Sequence, residues 1–431
     1  MTDRVTRRDF VKGGSAATAA LLAGCGGSSV LPEQIPMVHA GGQEPTLKIG
    51  LIGCGGRGTG AAENCLSAAP NVQIIAMADM FKDRLDNSRK LLSEKDGYKV
   101  KDDLTFTGFD AHKRILDTPI DMVLLATPPG FRPIHFASAV EAGKHVFMEK
   151  PCAVDPVGVR KVIETGEKAR AKKLAVLPGT QYRHQVSFVE TVKRVHGGQI
   201  GDIRAGRAYY NSGTLWDKPR GKGMTEMEWQ LRNWLYFDWL SGDQPVEQHI
   251  HTIDVTDWVM NAHPVRAVAT GGRQVRTGDK FGNVYDHFTI DYEYPGGVHV
   301  MSMCRQMANV SNHVGAYFEG TKGNVAVYQA SIKGIGGAPD WKFDGEISIG
   351  KAYVQEHTDL IASIRKNQPV NEARRIAETT LTAIMGREAA YTGKTVTWDE
   401  MTKSDLDLSP EKYEMGDNPV RPVPMPGQDR V

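Results

Sequence analysis

A glutamate and a histidine four residues apart could form an acid–base pair. Glu247 and His251 would share one face of the chain if the segment that contains them is helical. A carboxylate one turn from an imidazole can orient the ring and raise its basicity. Histidine is also the natural base for taking a proton from a hydroxyl group at neutral pH. The pair therefore predicts proton transfer to or from a hydroxyl.

The same segment allows two other interpretations. In an extended chain, Glu247, His249 and His251 alternate onto one face, and their side chains are of the types that bind zinc. Alternatively, the two histidines are structural residues that cap helices, which suits His249 better than His251. We predict that no metal is bound, and both alternatives stay open at this point.

Lys150 stands where the ligand of an open α/β sheet would lie. The run from His145 to Met148 predicts a strand, and Glu149 and Lys150 follow at its carboxyl end. Ligands of such sheets bind just beyond the carboxyl ends of the strands. The lysine is therefore a candidate for contact with a substrate, the alternative being a surface lysine at a strand end.

A glycine-rich turn that follows the first predicted strand indicates a nucleotide. The apolar run 47–52 leads directly into Gly53, Gly55 and Gly58, which have G-x-G-x-x-G spacing, and a small-residue helix follows. These glycines would permit a tight turn, close approach of a pyrophosphate and close packing of helix and strand. The cofactor-binding residues predicted in this turn are Gly53, Gly55, Gly56, Arg57 and Gly58.

Asp79 extends the same prediction to the ribose of a dinucleotide. It ends the apolar run 72–78, 24 residues after Gly55, which is where an acidic residue accepts hydrogen bonds from the adenosine ribose. A carboxylate repels a 2′-phosphate, so NAD is favoured over NADP. Lys82 and Arg84 nearby weaken that preference, and an exposed turn aspartate is the alternative.

Four motifs in order resemble the glucose–fructose oxidoreductase and inositol dehydrogenase (Gfo/Idh/MocA) family over about residues 47 to 400. They are the glycine turn, Thr127-Pro128-Pro129, Glu-Ala-Gly-Lys-His-Val at 141–146, and Glu149-Lys150-Pro151. The resemblance implies that Lys150 is catalytic, and that a second domain carries the substrate pocket and often the oligomer contact. Further cofactor contacts are predicted at Thr127, Pro128, Glu149 and Lys150.

A second family signature usually has the form Asp-x-Gly-x-His-x-x-Asp. Here His251 and Asp254 match it, whereas Glu247 replaces the aspartate and His249 the glycine. The implied roles are His251 as the base and Lys150 as a positive neighbour that orients the substrate hydroxyl and lowers its pKa. Aromatic residues, which suit sugar rings, are concentrated between residues 216 and 239. The predicted substrate-binding residues are Tyr182, Arg183, Trp234 and Asp254.

These observations predict an α/β protein with an N-terminal Rossmann domain over residues 47–175. A C-terminal α+β domain with a large, open, mostly antiparallel sheet is predicted over residues 176–403, with a proline-rich tail over residues 404–431. The predicted function is NAD(P)-dependent oxidation or reduction of a sugar, glycoside or cyclitol by hydride transfer. The alternative is a glycoside hydrolase that uses tightly bound NAD to oxidise the sugar transiently. A non-catalytic sugar-binding relic is disfavoured by the intact lysine and histidine.

Composition and the first 46 residues bear on partners and location. Of 431 residues, 52 are Lys or Arg and 51 are Asp or Glu, a balance that does not suggest a nucleic-acid binder. Arg7 and Arg8 lie in a twin-arginine export pattern, and an apolar run ends in a lipoprotein-like box at Cys25. We therefore expect a periplasmic or lipid-anchored protein, with membrane contact only through Cys25. A homo-oligomer that binds a small carbohydrate is also expected.

Overall fold

The computed structural model describes residues 44–428. Arg7, Arg8 and Cys25, on which the export prediction depends, lie outside these described residues. Between residues 44 and 428, no helix is both long and apolar enough to cross a membrane. The strands of this part of the chain form two sheets.

The first sheet is parallel and, within the described residues, has six strands in the order β3-β2-β1-β4-β5-β6. The strands are β1 (Leu47–Ile52), β2 (Val72–Asp79), β3 (Thr105–Thr107), β4 (Met122–Leu125), β5 (His145–Glu149) and β6 (Val176–Gly179). The helices that accompany them are α1 (Gly56–Ala68), α2 (Lys82–Leu92), α3 (Ala111–Leu116), α4 (Arg132–Glu141) and α5 (Pro156–Ala171). Because the strand order reverses between β1 and β4, a crevice opens at their carboxyl ends. Since β6 belongs to this sheet, the sheet extends past the predicted boundary at residue 175.

The second sheet has nine strands in the described chain and is mostly antiparallel, in the order β14-β13-β12-β11-β7-β10-β9-β8-β15. Its strands are β7 (Ile203–Ser212), β8 (Arg266–Gly272), β9 (His287–Tyr294), β10 (Val298–Gln306), β11 (His313–Gly320), β12 (Gly323–Ala326), β13 (Ser331–Gly334), β14 (Trp341–Lys342) and β15 (Val396–Thr397). The central strands β7 and β10 are paired in parallel. The predicted fold class is confirmed by this pair of sheets.

The remaining helices connect and cover the two sheets. They are α6 (Val186–His196), α7 (Glu226–Arg232), α8 (Asp238–Ser241), α9 (Asp243–Glu247), α10 (Ile250–Met260), α11 (Ile349–Arg365), α12 (Ala373–Thr392) and α13 (Trp398–Lys403). Short 3-10 helices lie at Asp102–Leu104, Pro129–Phe131, Gln181–His184, Trp234–Tyr236 and Asp279–Phe281. Helix α12 is buried along most of its length and packs on α5, β8 and β9. It therefore joins both halves in one hydrophobic core.

The last described residues pack on the folded body rather than extending from it. Leu408 is buried, and its backbone N–H donates to the Asp155 carboxylate at 2.9 Å. The ring of Tyr413 contacts Phe109 and Phe131. Residues 404–428 thus form a surface strap.

Candidate functional site

The glycine turn after β1 has the shape that a dinucleotide requires. Gly53 has a φ of +96°, and a Cβ there would lie 2.6 Å from the backbone of Ala126 and Thr127. A Cβ on Gly58 would lie 1.8 Å from the carbonyl oxygen of Gly53, so helix α1 can pack this closely only with glycine. At Gly56 a Cβ would meet nothing within 4 Å, which leaves open space before the helix N-terminus. The turn therefore fits a pyrophosphate.

Asp79, at the end of β2, faces a pocket of about 410 Å³ beside this turn. Its two carboxylate oxygens accept backbone N–H groups, from Cys54 at 2.6 Å and from Phe81 at 2.8 Å. Burial raises the pKa of Asp79. Most of the predicted cofactor contacts line this pocket: Gly53, Gly55, Gly56, Arg57, Asp79, Thr127 and Pro128. The described lining does not include Gly58, Glu149 or Lys150.

Arg57 and Glu149, both predicted to contact the cofactor, contact each other. Arg57 Nε lies 2.8 Å from Glu149 Oε1, and the guanidinium lies 4.7 Å from the ring centre of Tyr353. The glycine turn is thus tied to the carboxyl end of β5, one residue before Lys150. This ion pair fixes the wall of the crevice between the glycine turn and the predicted catalytic residue Lys150.

Lys150 is the partner of Glu247. Its Nζ donates to the Glu247 carbonyl oxygen at 2.5 Å and to Glu247 Oε1 at 3.2 Å. Both side chains are at most a tenth exposed. The predicted pairing of Glu247 with His251 is wrong, because α9 ends at Glu247 and α10 begins at Ile250. Among the described residues, no hydrogen bond joins these two side chains.

His251 lies on the first turn of α10, between two tyrosines. Its ring centre is 5.9 Å from that of Tyr182 and 6.4 Å from that of Tyr210. Burial holds the pKa of His251 well below its usual value, and the charge of Lys150 lowers the pKa further. The expectation of raised basicity is therefore corrected. The imidazole is neutral at pH 7, which is the form that can accept a proton.

Arg183 and Asp254 form an ion pair rather than two independent substrate contacts. Arg183 Nε lies 2.8 Å from Asp254 Oδ2, and Arg375 Nη1 lies 2.8 Å from Asp254 Oδ1. Burial alone would raise the pKa of Asp254, but the two guanidinium charges hold it below its usual value. Because Asp254 lies three residues after His251 on α10, this network fixes the helix that carries the histidine.

The residues of the alternative metal site have separate partners. His249 is fully buried with its Nε2 2.6 Å from the Ser302 hydroxyl, and burial lowers its pKa to about 3. Glu247 contacts Lys150 instead. Over residues 44–428, no group of three His, Cys, Asp or Glu side chains is arranged to hold a metal ion.

Trp234 lies apart from the predicted substrate contacts. It lines the pocket that contains Asp79 and the glycine turn, and the described lining includes neither Lys150 nor His251. Its ring contacts Trp216 at 5.9 Å. The structure therefore places Trp234 with the predicted cofactor contacts and does not bring it together with the predicted catalytic pair.

The sequence predictions missed three further residues that lie close to predicted site residues. Tyr210 is on β7, and burial together with the charges of Tyr182 and Glu247 raises its pKa above the usual value. Tyr353 and Glu356 lie on α11, and burial and the neighbouring Glu149 hold the pKa of Glu356 well above its usual value. The sequence predicts a helix over residues 357–366, whereas helix α11 begins at Ile349. A longer predicted helix would have included both residues.

Comparison with known proteins identifies both halves. A family described as an oxidoreductase family with an NAD-binding Rossmann fold matches residues 47–177. A GFO/IDH/MocA C-terminal domain matches residues 188–326. The chain belongs to the Gfo/Idh/MocA family. Residues 47–177 are an NAD-binding Rossmann fold of this family, which confirms the prediction of NAD as the cofactor.

Relatives of this Gfo/Idh/MocA protein have different names. A glycosyl hydrolase family 109 protein of Streptomyces coelicolor is 28% identical over 222 residues, which cover 48% of this chain and 45% of that protein. A myo-inositol 2-dehydrogenase of Thermotoga maritima is 30% identical over 155 residues, which cover 36% of this chain and 42% of that protein. The chain thus spans less than half the length of either relative.

A solved structure matches over more of the chain. It is a scyllo-inositol dehydrogenase from Lactobacillus casei with bound cofactor NAD(H) and scyllo-inositol. The TM-score is 0.63 at 21% identity, and the match covers 82% of this chain and 99% of that one. At this level of identity the likeness supports the fold alone.

Proposed function

We propose that the protein is an NAD-dependent oxidoreductase that acts on a CH–OH group of a sugar, glycoside or cyclitol. The observation that carries this proposal is the position of Lys150. Lys150 follows the carboxyl end of β5, one residue after the Glu149 that pairs with Arg57 of the glycine turn, and its charge acts on the neutral His251. A cation and a base are thus held beside a dinucleotide pocket.

Each residue of the proposed site has a separate role in the reaction. NAD, when bound, supplies the acceptor and donor of hydride. Lys150 would orient the substrate hydroxyl and stabilise its developing negative charge, while Glu247 holds the lysine in place. His251 would accept the hydroxyl proton, since the neutral imidazole is its stable form. Tyr182 and Tyr210, whose rings flank the histidine, would form apolar walls for the ring of the substrate.

A second candidate is a glycoside hydrolase that uses bound NAD catalytically. The similarity to a glycosyl hydrolase family 109 protein favours this candidate. Such an enzyme would oxidise the sugar, eliminate the aglycone, add water across the resulting double bond and return the hydride, so NAD would be regenerated in each cycle. The same lysine and histidine would serve the first and last of these steps.

Anaerobic incubation of the purified protein with chromogenic glycosides and with cyclitols separates the two candidates. Bound-cofactor absorbance and released aglycone are followed together. An oxidoreductase reduces the bound NAD and releases no aglycone, whereas the hydrolase releases aglycone with no net change in NADH. A protein from which denaturation releases no nucleotide, and which NAD and NADP do not bind, would contradict both candidates.

We also propose export by the twin-arginine route, with Cys25 as a lipid attachment site. Replacing Arg7 and Arg8 together with lysine should retain the protein in the cytoplasm, and Cys25→Ala should abolish lipid attachment without blocking export. Cell fractionation and radiolabelled fatty acid incorporation measure the two effects. Normal export of the double-lysine variant would contradict this proposal.

We propose in addition that the protein is a homo-oligomer that associates through its second sheet. Met301 on β10 and Val268 on β8 are exposed, and both are in register with Asp291 on β9, so they lie in one row of one face. Changing Met301 and Val268 to lysine should shift the protein toward monomer in sedimentation velocity, because a like-charged pair would be buried at the contact. A wild type that sediments as a monomer would contradict this prediction.

A further inference from the structure

The pocket beside Asp79 is built from both halves of the molecule. One wall comes from the Rossmann half and includes Asp79, Phe81 and Arg84. The other comes from residues 213–237, which follow β7 and which we call the cover segment. The lining residues that this segment contributes are Trp216, Lys218, Leu231 and Trp234.

Arg232 joins the cover segment to the Rossmann half at the pocket wall. Its Nη1 lies 3.1 and 3.3 Å from the two carboxylate oxygens of Asp83 on α2. The guanidinium lies 3.9 Å from the ring centre of Phe81, and Arg84 Nη2 is 3.5 Å from the Arg232 carbonyl oxygen. Because Phe81 and Arg84 line the pocket, the contacts of Arg232 hold the cover segment against the pocket wall.

The strap formed by residues 404–428 supports the outer side of the cover segment. Asn418 exchanges hydrogen bonds with Gln230, at 2.5 and 2.8 Å, and the Met227 N–H donates to the Gly416 carbonyl oxygen at 3.0 Å. The segment is therefore held from both sides, by Arg232 on the pocket side and by the strap on the other.

From this arrangement we infer that the cover segment encloses the adenosine half of the bound dinucleotide and retains it through repeated turnovers. The inference rests on the proposed function, because it assumes NAD as the resident cofactor. Asp79 marks the ribose end of the pocket, and Trp216 and Trp234 face that end from the cover. A nucleotide that leaves in this direction must first break the contacts of Arg232 with Asp83 and Phe81. Trp216 and Trp234 thus add aromatic contacts to the pocket that the Rossmann half does not supply.

The test measures nucleotide release without any substrate. The full-length protein is loaded with NADH, excess NAD is added, and the loss of protein-bound NADH fluorescence gives the dissociation rate. Arg232→Gln should raise this rate about tenfold, since it removes the ion pair with Asp83 and the cation–π contact with Phe81 that join the cover segment to the Rossmann half. Asp83→Asn should raise it about threefold, because it removes the ion pair alone from a mostly exposed side chain.

Arg220→Gln is the matched control. Arg220 lies in the same segment but pairs with Glu226 within it, so the release rate should not change. Equal release rates in the wild type and in the Arg232 and Asp83 variants, with NADH binding intact, would contradict the inference that the cover segment retains the nucleotide. The proposed function would be unaffected. Absence of NADH binding in the wild type would overturn the proposed function and this inference with it. The Asp83 variant keeps the test decisive even if Arg232→Gln fails to fold.

Discussion

Replacing Lys150 with methionine should lower kcat by about 100-fold or more, while NAD binding survives. The lysine contacts the reacting hydroxyl in the proposed function, and its charge is worth more when that oxygen becomes negative than in the bound substrate. The glycine turn and Asp79, which would hold the nucleotide, line a pocket whose described lining does not include Lys150. Steady-state kinetics and NADH titration measure the two properties independently.

The same variant has a second readout that a purely structural lysine would not affect. Burial lowers the pKa of His251, and the charge of Lys150 lowers it further, so removing the charge should raise that pKa. The acid limb of kcat/KM for the residual activity should then move to higher pH. Lys150→Arg, which keeps the charge, should leave the limb nearly in place.

Lys144→Met is the matched control for Lys150→Met. Lys144 lies immediately before the other end of the same strand and donates to the Ile120 carbonyl oxygen, away from the crevice. Turnover in this variant should equal that of the wild type. Full turnover in Lys150→Met would remove the lysine from the reaction.

Much of the fold could be predicted because local patterns and tertiary structure agree. The run Leu47–Ile52 is apolar and forms β1 with the predicted bounds. The sequence predicts a helix over residues 373–391 that ends before Gly393, and Gly393, with a φ of +70°, ends α12 as a left-handed C-cap. Alternating runs at residues 267–271, 288–294 and 298–303 predict strands, and they form β8, β9 and β10 with only small changes at their ends.

The site was less predictable because its members meet only through tertiary contacts. The spacing of Glu247 and His251 implied one helical face, yet α9 ends at Glu247 and α10 begins only at Ile250, and Glu247 contacts Lys150 from the other domain. Trp234 looked like a sugar contact because of its aromatic neighbours. Its position over the cofactor pocket depends on Arg232 and Asp83, which are 149 residues apart. No local pattern carries such information.

The proposed chemistry therefore depends on how the two halves are joined. Lys150 comes from β5 and His251 from α10, and Asp254 binds α10 to Arg183 and Arg375 in a buried network. This network sets the position of the base relative to the lysine. A change in Asp254 would thus affect turnover through the position of His251 rather than through contact with the substrate.

Replacing His251 with alanine should lower kcat by about 100-fold or more, because a positioned general base contributes roughly 10²–10⁴-fold to the rate. In the wild type, kcat/KM should stay constant as the pH falls through 6.5, since the imidazole remains neutral until well below that value. His263→Ala, which removes a ring that stacks on Trp398 beyond the end of α10, serves as the control and should keep full turnover.

The order of losses among neighbouring variants distinguishes this base from a metal ligand. If His251 is the base, His251→Ala should lose the most turnover and His249→Ala the least. Glu247→Gln should lose an intermediate amount, because the Glu247 carbonyl oxygen still accepts a hydrogen bond from Lys150. If all three side chains held a metal, the three variants would lose activity equally and a chelator would inhibit the wild type. Because His249 is directed to Ser302 and Glu247 to Lys150, we expect the graded order and no effect of a chelator. Full activity of His251→Ala would assign the proton transfer elsewhere, and Tyr182, whose ring meets the histidine edge to face, is then the next residue to test.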